Sequence, residues 1–208
     1  MTEAEWLACD DPAAMLDFVG DYASDRKRRL FACACCRRIG PLLAEESRQA
    51  LAVLERCTDG RGSRRELEDA LAAAELVEVA TFGPARAAAR AVSSAWSAAE
   101  HARSAAAKTA ADGVAERRHQ AALLRCLFGP LPFRPPPAID AAVLAWNDAA
   151  VPRIAAAIYD DRRFDDLPVL ADALEEAGCA DAELLGHCRG GGEHTRGCWP
   201  VDLVLGRA

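Results

Sequence analysis

Apolar and polar positions recur with a helical period along most of the chain. Trp6 and Leu7, then Met15, Leu16 and Phe18, fall where two short helices, about 3–9 and 12–19, would bury them. Each start carries its own signal: Thr2 with Glu5 has the form of a capping box, and Asp11 stands before Pro12 at a first helical position. Ser24 opens a helix through DRKRRLFACACCRR. After Gly40-Pro41, the stripe Leu43, Ala50, Leu54 and Cys57 predicts a helix over 42–57, closed by the turn residues TDGRG. Ser63 and Glu66 make a second capping box, and Leu67, Leu71, Ala74 and Val77 form the inward face until TFGP. Ala85, Ala88, Ala89, Val92, Trp96 and Ala99 predict one long helix reaching Ala111. Asp112-Gly113 breaks it, and Val114 to Phe128 resumes with Ala121, Leu124 and Phe128 inward and Arg117, Arg118 and Gln120 toward solvent. His101 and His119 fall on polar helical surfaces.

GPLPFRPPP places five prolines between Gly129 and Pro137, and proline both fixes φ and removes a donor, so this segment is expected to run extended as a strap. Beyond it, Val143, Leu144, Trp146, Val151, Ile154 and Ile158 give a stripe broken near Pro152. LPVLADALEEAGC predicts a helix with Gly178 as its left-handed stop, and Ala182 to His187 a further turn or two. CWPVDLVLG is too short for periodicity to choose between helix and extended chain.

These elements predict an all-α protein: a compact multi-helix bundle with a Pro-rich strap and a Gly-rich C-terminal loop, one domain over 1–208 with a sub-boundary at 129–137. Composition agrees, because half the residues are apolar and alanine dominates them, with six Phe and two Tyr. A net charge of −7 argues against a general nucleic-acid binder. No run approaches the roughly 18 apolar residues of a membrane span. Nine cysteines without regular spacing, behind an acidic N-terminus lacking signal-peptide character, predict reduced thiols and a cytoplasmic protein.

Chemistry concentrates in GCADAELLGHCRGGGEHTRGCW, residues 178–199. Cys179, Cys188, His194 and Cys198 are the candidate metal ligands, since sulfur and imidazole suit zinc and the Gly190–Gly192 run lets the chain fold over a tetrahedral centre. His187 and Cys188 are adjacent and diverge on a helix. Cys33 and Cys36 could instead supply half the ligands, although their C-x-x-C lies about two turns inside a helix, away from the N-terminus that would activate a thiolate. Packed thiols are the competing reading, because free Cys behaves as a small hydrophobe. A Cys198–His194 catalytic pair, with Glu193 and Asp202 nearby, lacks any signal for an oxyanion hole, and no catalytic residues are assigned. A helix-turn-helix over 170–189 would present Asp181 and Glu183 to phosphates, the wrong sign. The basic run Arg26–Arg29 points all round its helix, which favours pairing with acidic segments such as 160–166 and 172–176 over DNA contact.

MTEAEWLAC, DRKRRLFACACCRR, LPVLADALEEAGC and HCRGGGEHTRGCW together resemble an uncharacterised family of bacterial proteins, a resemblance that implies no particular activity. LPVLADALEEAGC alone is similar to the P-x-L-x-x-A-D-W-L-E-E-x-G pattern of a small helical domain accompanying repeat proteins, without its tryptophan, which implies an interaction role. The expectation is a non-enzymatic cytoplasmic protein-interaction or regulatory module with a protein partner. The alternatives are a small structural zinc protein or a cysteine-dependent enzyme using the C-terminal cluster.

Overall fold

The structure is a computed structural model that describes residues 1–81, 83–95, 99–109 and 112–207. Helices form where the local signals agree. α1 (Glu3–Ala8) and α2 (Pro12–Val19) bury Trp6, Met15 and Val19, and Asp11 caps α2 by accepting the Ala13 N–H at 3.0 Å. Ser24 caps α3 (Asp25–Arg38), and α4 (Glu45–Thr58) follows. α5 (Arg64–Ala80) begins on the expected capping box: Ser63 Oγ accepts the Glu66 N–H at 3.2 Å, and the Glu66 carboxylate accepts the Ser63 N–H at 2.8 Å.

α3 is buried continuously from Leu30 to Cys36, which makes it the central helix of its unit. Cys33, Cys35 and Cys36 are core residues there, and burial pushes the Cys35 and Cys36 thiols well above their ordinary range. The flanking cations turn to local carboxylates. Arg26 binds Asp59 at 3.0 Å, Arg37 binds Glu55 at 2.9 Å and Arg38 binds Glu116 at 2.8 Å, with all three carboxylates almost wholly buried. Arg28 donates to the carbonyls of Ala23 and Gly20. In the acidic segments named as mates for the basic run, Asp172 and Glu175 take Arg189, and Asp166 takes Arg163.

The alanine-rich stretch differs from the expectation of one long helix. It forms α6 (Gly83–Ser94) and α7 (Ala99–Thr109), packed against each other. A single straight helix would leave its alanine stripe in water; two helices bury Ala88, Ala89, Ala91 and Val92 together with Ala102 and Ala106. Trp96 lies outside the described residues, as do the side chains of Ala85, Ala99 and His101. α8 (Gly113–Phe128) is capped by Asp112, which accepts from Val114 and Ala115. Gln120, expected at the surface, is fully buried: its Nε2 donates to the Arg103 carbonyl at 3.2 Å and to Glu116 Oε1 at 3.1 Å. These bonds satisfy the buried Nε2, while Oε1 is buried with no hydrogen-bond partner among the described residues.

The remaining helices are α9 (Ala141–Asp161), α10 (Leu167–Glu176), α11 (Ala182–Arg189) and α12 (Trp199–Val204); among the described residues there is no strand, and the fold is all-α. Packing density divides the chain into two compact units, Glu3–Ala121 and Ala122–Ala208, so the division falls within α8 rather than at the Pro-rich segment 129–137. That segment forms turns and then irregular chain, with a cis Leu131–Pro132 bond.

α9 is the one described helix long and apolar enough by composition to cross a membrane. Its backbone is broken, however: Asn147, Asp148 and Ala149 are left-handed, with φ of 49, 57 and 57°. The break precedes Pro152 rather than coinciding with it. Pro152 therefore sits in the first turn of the second helical segment, where its missing N–H removes no helical bond. Tyr159 and Ile158 from that segment pack with Leu167, Leu170, Leu174, Leu184 and Val201 in the core of the C-terminal unit. Arg207 lies over the Tyr159 ring, 4.2 Å from its centroid, holding the chain end on α9.

Candidate metal centre

Three chain segments deliver four metal-ligating side chains to one point in the C-terminal unit. The last turn of α8 carries Cys126, and the last turn of α11 carries His187. The loop after the glycine run brings His194, and Cys198 is the residue that opens α12. One potential ligand atom from each lies within 4.8 Å of the others.

Local chemistry explains the placement. The Cys198 N–H bonds the Thr195 carbonyl at 2.9 Å and Gly197 has φ of 87°, a type II turn that demands glycine at its third position. This turn directs His194 and Cys198 to the same side. Pro200 stands in the first turn of α12, so the helix starts immediately after Cys198. Gly129, with φ of 54°, ends α8; a Cβ built there would lie 2.5 Å from the Trp199 ring. Only glycine lets Trp199 pack so closely on the end of α8, and Trp199 also meets the His187 ring edge-on at 5.5 Å.

The separations are 3.6 Å from Cys126 Sγ to His194 Nδ1, 3.4 Å from Cys198 Sγ to His187 Nε2 and 3.9 Å from Cys198 Sγ to His194 Nδ1. Zinc–sulfur bonds near 2.3 Å and zinc–nitrogen bonds near 2.0–2.1 Å give a tetrahedral sulfur–nitrogen edge of about 3.6 Å. The His194 tautomer follows from its other nitrogen. Nε2 lies 3.2 Å from the Gly190 carbonyl, which can only accept, so Nε2 carries a proton and Nδ1 is the nitrogen that faces the sulfurs, donating to an anionic Cys126 or, once deprotonated, free to ligate a metal.

Electrostatics in the cluster favour an anionic sulfur. Burial alone would push Cys126 up, but hydrogen bonding from Cys198, His187 and His194 holds it well below the ordinary thiol range. Burial and that neighbouring sulfur push Cys198 up. Both thiols are closed to solvent, at 2% and 0% exposure.

Of the four ligands chosen from sequence, the structure brings His194 and Cys198 into this group, together with Cys126 and His187; Cys179 and Cys188 stand outside it. Cys188 is buried on α11 next to His187 but is not one of the four grouped residues, and burial, with the sulfurs of Cys126 and Cys179, pushes its thiol up to about 12. Cys179 follows the α10 stop. Its N–H bonds the Leu174 carbonyl and the Gly178 N–H bonds Glu175, a Schellman motif with Gly178 at φ of 97°, and its half-buried side chain packs on the apolar core. Adjacent positions 187 and 188 diverge on the helix, so selecting one excludes the other. Cys126 carries no motif signal in its own neighbourhood. No protein family, curated protein or solved structure matches the chain.

Proposed function

We propose that the C-terminal unit is a non-enzymatic structural zinc module, with Cys126, His187, His194 and Cys198 as its ligands. The observation that carries this reading is the agreement of three sulfur–nitrogen separations with a tetrahedral edge, in a group of two sulfurs and two imidazole nitrogens. Four protein ligands leave no position for a reacting water, so the metal's role is to hold chain segments together. It ties the end of α8, the end of α11 and the start of α12, which surround a loop rich in glycine that has little regular structure to hold it. A reducing cytoplasm, where thiols stay available to a metal, is the compartment this chemistry suits. The helical surface held in place, including α10 with its exposed Val169, serves a protein partner.

Elemental analysis of the full chain purified without added metal tests the reading. About one zinc per chain is expected, lost in Cys126→Ser and His187→Ala and retained in Cys179→Ser and Cys188→Ala. Cobalt substituted for zinc should give the absorption of a tetrahedral site with thiolate ligands. Protein free of zinc that also fails to bind cobalt would overturn the proposal.

A further inference from the structure

The N-terminal unit carries a groove between α6 and α7 whose lining is cationic. We propose that this groove binds the linked phosphates of a small oligophosphate compound through Arg86, Arg90 and Lys108, with Ser104 as a hydroxyl donor. The groove has a volume of about 580 Å³, within the range of small-molecule sites. Arg86 and Arg90 are one turn apart on α6, and Ser104 and Lys108 are one turn apart on α7, so each pair shares a helix face. Ala87 and Ala105 lie between them, and their small side chains leave the space open.

The charge is unbalanced on one side. Arg90 donates from Nε to Glu78 at 2.7 Å, but among the described residues no carboxylate pairs with Arg86 or Lys108. Two arginines at i and i+4 repel each other, a cost that a bound polyanion removes. In a chain of net charge −7, three cations around one groove, of which Arg90 alone is ion-paired among the described residues, form a local positive field. Cations spaced about 5–6 Å along a helix match several linked phosphates better than a lone anion. Among the described residues no aromatic ring lines the groove, and its polar lining is cationic, so the phosphate chain is taken as the recognised part. Guanidinium groups suit it, because they bond phosphate oxygens in pairs.

Isothermal titration of the full chain with inorganic triphosphate, a nucleoside triphosphate, orthophosphate and sulfate tests this, with single-stranded oligonucleotide as a further arm. Triphosphate and nucleoside triphosphate are expected to bind alike and to bind more tightly than orthophosphate or sulfate. Arg86→Ala with Lys108→Ala should weaken both by at least about tenfold. Both side chains are exposed and hold no described partner, so unchanged circular dichroism is expected, and Lys108→Glu alone gives an independent loss. Several results would each sink the proposal: no heat with triphosphate at millimolar concentration, equal binding by the double variant, sulfate as effective as triphosphate, recognition of the nucleoside triphosphate only, or preference for the oligonucleotide.

Discussion

Replacing Gly129 by alanine tests how the end of α8 is fitted to the segment that carries Cys198 and Trp199. Two costs add. At φ of 54° an L-residue is strained by about 1–2 kcal/mol. The new methyl would also stand 2.5 Å from the Trp199 ring, which is only 5% exposed and cannot swing into water, so overpacking adds about 1–3 kcal/mol. The sum, about 2–5 kcal/mol, is a large share of the stability of a domain of this size. Gly178→Ala supplies the control: φ there is 97°, yet nothing lies within 4 Å of the added Cβ, so strain is its only cost. Urea unfolding followed by helical circular dichroism should place Gly129→Ala below Gly178→Ala by about 1–3 kcal/mol. Trp199 adjoins Cys198 and touches His187, so zinc affinity should fall in Gly129→Ala and hold in Gly178→Ala. Equal destabilisation by the two variants, with zinc affinity unchanged, would refute the packing argument.

If the C-terminal unit holds zinc as proposed, zinc removal and acid should act alike on it. Thiolate and neutral imidazole ligands compete with protons, so metal-derived stability is present near neutral pH and lost as pH falls; thermal melts with and without chelator should converge in acid. Ala149→Gly should stabilise by about 0.5–1 kcal/mol, because relief of a left-handed alanine at φ of 57° exceeds the added freedom of glycine in the unfolded chain. A denaturation midpoint below the parent's would count against that reading of the α9 break. Asp59→Asn should cost about 3 kcal/mol, since it leaves Arg26 without the carboxylate that accepts from both its Nε and Nη2. A loss under about 0.5 kcal/mol would place this pair with ordinary surface bridges.

What the sequence determined by itself was local. Ser63 with Glu66, Asp11 with Pro12, and Gly178 at the end of α10 act over a few residues, and their hydrogen bonds close wherever the rest of the chain goes. Helical periodicity likewise fixed the fold class, and the glycine run marked where His194 and Cys198 would converge. Tertiary structure decided the rest. Periodicity reports that a face is apolar without reporting what covers it, so it could not say that α6 and α7 bury their alanines against each other, or that Gln120 faces inward to a carbonyl and a carboxylate. The same limit governs the metal centre. Between His187 and Cys188 the choice rests on which face of α11 is turned toward Cys126, His194 and Cys198. Cys126, separated from His194 by 68 positions, becomes a candidate ligand only because packing of the C-terminal unit brings its sulfur to 3.6 Å from that ring.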